Sequence, residues 1–457
     1  MILDLHNYDI YTKVFALAKP CKITIKPMGR HAAFKPDTTY TVHLYGLLGG
    51  AKYFLDPPQN ISSHKVKPDE NGNLVFENIF EKEQEYYVRV FDDTVEQCSN
   101  FNKLLQLSVY AVEDDLVGRY PLTGDLHMHS TGSDGKEAAE IVAANYRKLG
   151  YDFLAITDHY RYSSSIETIN MYKGINTDYL IVPGEELHMP GNYVHVVNFG
   201  GDYSVAALVE RHEGYMEHFD DTEKLKALGI SQPKQLTKDE YYTQVNEIIA
   251  SENIPEGVEA FPYASTKWAC NEVRKANGLS IYCHPYWLSD LYNVPESLHD
   301  YITSKQPFDA YEVLGGMVKF SENGLQASHY YEDKIKGHNY PIVGSTDSHG
   351  SVHNPEGRAA KTIVFAHKNE AKEIIDSVKK FYTVAVDTIS KEARFVGDYR
   401  LVKYASFLYE HYFPLHDELC FEEGRLMREY CCDSENAKER LNNIGRQITE
   451  LHKKYFF

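Results

Sequence analysis

The chain has 457 residues, 43% of them hydrophobic, and a formal net charge of −19. That length calls for two or three domains with substantial cores. The negative charge argues against a nucleic-acid coat and against a polybasic membrane binder, although bound divalent cations could reverse the local field for a phosphorylated substrate.

The opening segment MILDLHNYDIYTK lacks a basic stretch followed by an apolar one, and no apolar run has the length of a transmembrane helix. The seven cysteines are scattered, only Cys431 and Cys432 are neighbours, and there is no CxxC pair. Reduced thiols in a soluble cytoplasmic protein, with no membrane partner, are the expectation.

Residues 1–118 carry short alternating segments, Cys21–Pro27, Tyr40–Gly46, Asn73–Ile79, Tyr86–Asp92 and Leu104–Val112, separated by turn-rich breaks such as DPPQN and DENGN. Period-2 alternation with frequent turns predicts a small antiparallel β-sandwich. From about residue 119 the pattern becomes strand then helix. Thr123–Ser130 (TGDLHMHS) reads as a strand that places His127 and His129, two apart, on one face. Asp134 follows in a Gly/Ser-rich loop able to fold back over that face. Ala138, Ile141, Val142, Ala144 and Leu149 then predict an amphipathic helix ending at Gly150.

Further apolar runs also close on ligand-type residues: Phe153–His159 on Asp158 and His159, Tyr179–Glu186 on Glu185 and Glu186, Leu279–Pro285 on His284, and Pro341–His349 on Asp347 and His349. His195 sits within Tyr193–Phe199. All read as buried parallel strands of an α/β barrel, and carboxylates and imidazoles at one end of such strands would converge on the face where barrels place their chemistry. A polynuclear metal site is therefore the leading expectation. His188, Glu312 and His353 are expected around it as supporting or substrate-contacting groups. Residues about 201–275 predict a charged, mostly helical insertion, and 400–457 a helical C-terminal extension that could pack on the barrel or mediate homo-oligomerisation. Tyr241, Tyr242 and Tyr263 could stack on a base or sugar, or simply pack.

Taken in order, GDLHMHSTGSDG, AITDH, PGEE, VHVVNF, YCHP and GSTDSH resemble the motifs of the PHP (polymerase and histidinol phosphatase) superfamily over roughly residues 120–390. The resemblance implies a distorted seven-stranded β/α barrel, here spanning 119–399, with two to three Zn, Mn or Fe ions that hydrolyse phosphoesters. His127, His129, Glu186 and Asp347 would hold the first ion, and Glu186 would bridge to a second held by His195 and His284. Asp134, His159 and His349 would hold a third. The family's G-x-E spacing selects Glu186 over Glu185. Some members carry His where this chain has Asp134, which implies a weaker third site or a harder ion.

The implied reaction is hydrolysis of a phosphomonoester or phosphodiester of a small molecule, such as a sugar phosphate or nucleotide. A metal-activated hydroxide at a di- or trinuclear site would attack phosphorus in line, and the third ion would bind phosphate oxygens. Glu186, Asp347 and His349 are the expected catalytic residues, the last two as candidate acids for the leaving alcohol. Phosphate recognition calls for cations, for which Arg161, Lys319 and Arg358 are favoured and Lys267 and Arg274 are alternatives. Competing readings are a nuclease acting on nucleic-acid ends, a metal-dependent amidohydrolase, and a binding module with a degenerate barrel.

Overall fold

The computed structural model describes all residues except 1–6, 50–60, 96–97, 99–101, 211–220, 316–319, 352–359, 390–391, 433 and 435. The chain forms two compact units. One comprises Met1–Tyr120, Lys403–Pro414 and Ile448–Phe457, and the other Pro121–Val402 and Leu415–Gln447. The segment expected as a single C-terminal extension therefore divides between them.

The first unit holds strands β1 (Tyr8–Tyr11), β2 (Val14–Ala16), β3 (Pro20–Pro27), β4 (Tyr40–Gly46), β5 (Ile61–Val66), β6 (Leu74–Ile79), β7 (Gln84–Phe91) and β8 (Leu105–Val112). They form a three-stranded sheet, β1-β3-β6, and a five-stranded sheet, β2-β8-β7-β4-β5. Alternate residues such as Ile23, Ile25, Val42, Leu44, Val88 and Val90 fill the core, as period-2 strands with one buried face require. β8 is buried along its whole length. Its other face is covered too, with the Tyr110 ring 5.0 Å from Tyr404 and 5.3 Å from Phe407.

The second unit is a mixed α/β structure. In chain order it contains β9 (Tyr120–Asp125), α1 (Ala139–Lys148), β10 (Phe153–Ala155), α2 (Ser163–Met171), β11 (Leu180–Val182), β12 (Gly184–Leu187), β13 (Val196–Phe199), α3 (Thr222–Ala227), α4 (Lys238–Ser251) and α5 (Ala260–Lys275). There follow β14 (Leu279–Tyr282), α6 (Glu296–Lys305), β15 (Ala310–Leu314), α7 (Phe320–Lys336), β16 (Ile342–Gly344), β17 (Ala360–Ala366), α8 (Ala371–Lys379), β18 (Thr383–Asp387) and β19 (Arg394–Gly397). Helices α9 (Tyr399–His411), α10 (Phe413–Cys431), α11 (Ala437–Ile444) and α12 (Gln447–Tyr455) complete the chain. One sheet runs β11-β10-β9-β17-β18-β19, the other β12-β13-β14-β15-β16. Near the ligand-bearing ends, backbone bonds join the two sheets: Glu186 N to Thr157 O (3.1 Å), Asp347 N to His127 O (2.9 Å) and His129 N to Ser348 O (2.8 Å). Leu122, Phe153, Val182, Val197, Ile281, Ala310 and Val343 are among the residues packed in the apolar interior.

One expectation is corrected here. The ligand-bearing runs do not all lie on parallel strands, because β13 is antiparallel to both β12 and β14. Only eight residues separate β12 from β13, and a parallel crossover needs about a dozen or more. The reversal explains why His195 precedes its apolar run whereas the other ligand types follow theirs. The tyrosine-rich composition also finds a place: Tyr146, Tyr151, Tyr241, Tyr263, Tyr282 and Tyr311 are among the largest fully buried side chains. Tyr241 and Tyr263 are thus packing residues.

Candidate metal centre

Strand ends and the short turns after them bring all nine expected ligand residues into one cluster. Glu186 lies at its middle. Its Oε1 is 2.9 Å from His195 Nδ1 and 3.2 Å from His284 Nε2. Its Oε2 is 2.7 Å from His159 Nδ1 and 3.5 Å from both His127 Nε2 and His129 Nε2. Asp347 Oδ1 reaches His129 Nε2 at 2.9 Å and His127 Nε2 at 3.4 Å. On the outer side, Asp134 Oδ1 faces His349 Nε2 at 3.3 Å and His159 Nε2 at 3.6 Å. The Asp134 side chain is 52% exposed, whereas His127, His129 and Glu186 are sealed from solvent.

Backbone strain accompanies this geometry. His284 (φ 21°) and Asp347 (φ 48°) both adopt positive φ, a region non-glycine residues seldom occupy and one that concentrates at functional sites. Both follow directly on buried strands, and the turn swings each side chain inward.

Neighbouring groups fix the orientation of several rings. His127 Nδ1 donates to Glu312 Oε2 at 2.9 Å, with both residues fully buried, which turns Nε2 toward the cluster. His349 Nδ1 donates to its own turn at Asp347 O (2.9 Å) and frees Nε2 in the same way. Such outer partners set the tautomer and basicity of ligating imidazoles. Asp158 takes no part in the cluster. It accepts from Ser130 N (2.6 Å) and Ser133 Oγ (2.9 Å) and so buckles down the loop that carries Asp134. Glu185 points away and accepts from Asn198 Nδ2 (2.9 Å), Ser204 Oγ (2.6 Å) and Val205 N (2.6 Å).

Electrostatics follow from crowding acids and bases in a dry site. Burial disfavours a charged His159, but Glu186 and Asp134 prevail and raise its pKa to about 10. His127 is likewise raised, against burial, by Glu312, Asp347 and Glu186. Burial and the neighbouring His188 lower His195 to about 3. Glu186 is held well below the ordinary carboxylate range, against burial, chiefly by His159 and His195.

The donor set fits divalent cations. His127 Nε2, His159 Nδ1, Glu186 Oε2, His188 Nε2 and His195 Nδ1 are buried atoms without a hydrogen-bond partner, which is costly unless something positive fills the space between them. His127, His129, Glu186 and Asp347 form one compact group able to hold an ion, and His129, Asp134, His159 and His349 another.

His188 belongs to the cluster more intimately than the sequence analysis assigned. It stacks on His195 with centroids 3.6 Å apart, and its Nε2 lies 3.4 Å from Glu186 Oε2. The signal was present: His188 is two residues from Glu186 and therefore on the same strand face. Asp125 was missed. It accepts from Thr346 N (3.1 Å), Thr346 Oγ1 (2.6 Å) and His127 N (3.2 Å), clamping two ligand-bearing ends, and burial pushes it up to about 7.

The expected phosphate-binding cations fare differently. Arg161 is half-buried, and its charge acts on Asp221. Lys319, Arg358 and His353 lie outside the described residues. Lys267 pairs with Glu252 and Arg274 with Asp309.

No family model matches the chain. Over 108 residues it is 30% identical to the DNA polymerase/3'-5' exonuclease PolX of Bacillus subtilis (strain 168). That match covers 23% of this chain and only 18% of the curated relative's length. Among solved structures it is similar to a two-domain protein of Bacteroides vulgatus containing a predicted PHP-like metal-dependent phosphoesterase (14% identity, TM-score 0.38, covering 59% of this chain and 65% of the other). Similarity extends to a protein of Bifidobacterium adolescentis described as a metal-dependent phosphoesterase (18% identity, TM-score 0.31, 50% and 89%). An amidohydrolase of Chromobacterium violaceum gives 19% identity, TM-score 0.31, and 50% and 89% coverage. Among the described residues, no helix is long and apolar enough to cross a membrane.

Proposed function

We propose that the second unit is a metal-dependent phosphoesterase of the PHP type, acting on a phosphomonoester or phosphodiester of a small molecule. The observation that carries the reading is the set of buried, unpartnered nitrogen and oxygen atoms arranged around Glu186. A fold made only for stability would not concentrate so many imidazoles and carboxylates in one dry space.

In this reading Glu186 offers one oxygen toward His195 and His284 and the other toward His127 and His129, so it would help to hold an ion with each pair. Asp347 completes the first set. Asp134, His159 and His349 would hold a third ion, and Asp134, 52% exposed, lies on the solvent side of that set. Divalent cations bound here supply Lewis acidity and lower the pKa of water toward ~7. Glu312 and the Asp347 carbonyl keep His127 and His349 in the tautomer that presents Nε2. The eight strands β9 to β16, less the short β11 that precedes β12 in the same run, are read as a distorted seven-stranded barrel. A cytoplasmic setting and a supporting role for the sandwich complete the proposal.

The test is metal analysis of the purified protein alongside a screen of phosphomonoesters and phosphodiesters with added Mn or Zn. Two to three ions per chain with chelator-sensitive phosphate release is the expected result. Full metal occupancy without phosphoester turnover would shift the reading to an amidohydrolase. Absence of metal after reconstitution would refute it.

A further inference from the structure

The loop that leaves the cluster from His284 is a built hairpin. Val294 N bonds Pro285 O (3.0 Å) and Asn293 N bonds Trp287 O (2.8 Å). Leu288 and Tyr292 form an antiparallel bridge. Asn293 Nδ2 ties the base to Tyr193 O at 2.9 Å, two residues before His195. The hairpin is therefore anchored to both chain segments that bring His195 and His284 to the site.

A turn closed by Trp287 N on His284 O (2.9 Å) sends the first two side chains after Pro285 to different neighbours. The Tyr286 ring turns to His299 (5.3 Å between centroids) and Tyr292 (5.5 Å). The Trp287 ring turns the other way, to 6.2 Å from His195 and 6.3 Å from His284. Trp287 is only partly buried, and beyond it Leu291 is 79% and Tyr292 50% exposed. The partly buried Trp287 ring thus stands at the edge of a cluster otherwise built of imidazoles and carboxylates.

We propose that Trp287 is a specificity-determining residue: it stacks on a planar aromatic group carried by the alcohol portion of the substrate. The inference rests on the phosphoesterase reading of the cluster. An indole face carries negative quadrupole density and a single N–H donor, so it is suited to the organic group and not to the phosphate. The ring is close enough to two cluster imidazoles for an ester group leaving a phosphate bound there to meet it. Stacking of this kind changes affinity by on the order of 10-fold.

The experiment compares phenylphosphonate with methylphosphonate, two non-hydrolysable anions that differ in the ring, by calorimetry on the metal-loaded full chain. The native protein is expected to bind phenylphosphonate on the order of 10-fold more tightly. Trp287→Ala should abolish that preference while leaving methylphosphonate affinity unchanged, and Trp287→Phe should restore most of it. Because Trp268, the other tryptophan, is buried, quenching of the more exposed indole by phenylphosphonate alone is the spectroscopic counterpart. A ring preference that survives in Trp287→Ala, or none in the native protein, overturns the proposal and leaves the phosphoesterase reading standing. Binding of neither phosphonate by metal-loaded protein counts against the phosphoesterase reading itself, and the proposal falls with it.

Discussion

Glu312 offers a quantitative test of the metal centre because its carboxylate accepts a hydrogen bond from one of the nine proposed ligands, His127. Its Oε2 lies 2.9 Å from His127 Nδ1, with both side chains fully shielded from water. Replacing it alters two things that can be separated. Glu312→Gln keeps an oxygen able to accept the Nδ1–H bond but removes the charge that makes the ring a better donor to metal. Glu312→Ala also removes the acceptor and lets the ring turn or change tautomer. Loss of such an outer partner typically costs 10–100-fold in metal affinity, or ~1.4–2.7 kcal/mol at ~1.36 kcal/mol per tenfold. The Gln variant belongs near the lower bound and the Ala variant near the upper. The same carboxylate also raises the His127 pKa, against burial. Its removal therefore weakens the competing proton as well, and the difference from native should widen as pH rises. Chelator competition at pH 7 and pH 9 measures all of this. Native affinity in both variants would refute the assignment of His127 as a ligand held in place by Glu312. Equal losses in both would mean that the charge alone matters, and orientation not at all.

Glu186→Ala should abolish binding of at least two ions together with phosphoester turnover, since both oxygens face ligand sets; elemental analysis with full retained occupancy would contradict the bridging role. Metal binding should release protons, because the imidazoles of His127 and His159 are raised above 6.5, the latter to about 10, and must be neutral to ligate. Affinity therefore rises with pH across that window, and calorimetry in buffers of different ionisation enthalpy reads the proton count. In the metal-free protein the His159 contribution to stability has the opposite sense: it is complete below pH 6.5 and lost as pH rises through about 10. Away from the site, Arg147→Met should lower stability by about 3–5 kcal/mol, because it leaves Asp152 and Glu423 buried without their guanidinium; denaturant unfolding measures it. Gly124→Ala should cost about 1–3 kcal/mol by overpacking, since its Cβ would sit 2.0 Å from the Phe153 ring.

Much of the fold was legible where a single physical rule controls the pattern. In the first unit the alternating runs became strands with bounds close to those expected, because turn residues punctuate them and one face is buried. β8 departs from alternation, being buried on both faces, a consequence of Tyr404 and Phe407 that lie some three hundred residues later in the chain. In the second unit the apolar runs were visible, but strand direction was not. Hydrophobicity along a short buried strand reads the same in both directions, so β13 looked like its parallel neighbours. Only the eight-residue connection from β12 carried the information that it must reverse.

The site was legible to the extent that ligand chemistry and strand periodicity coincide. His127 and His129 share a face because they are two apart, and Glu186 and His188 share one for the same reason. Yet periodicity does not say which face of a buried strand points inward. Glu185 and Glu186 are equivalent on that criterion, and the decision falls to Asn198 and Ser204, whose donors satisfy Glu185 on the far side. Asp158 and His159 divide in the same way, one bracing the Asp134 loop and the other entering the cluster. Residues that work through another residue left a weaker signal: Glu312 was expected only as a supporting or substrate-contacting group, and Asp125 was not found. Glu312 and Asp125 acquire their roles only when strands distant in sequence come together, Glu312 with His127 and Asp125 with Thr346. Trp287 is the extreme case, since an indole carries no ligand chemistry to search for. Its significance comes from the hairpin that holds it beside His195 and His284. A sequence search guided by ligand chemistry thus finds the imidazoles and carboxylates first and the aromatic neighbours of the cluster last.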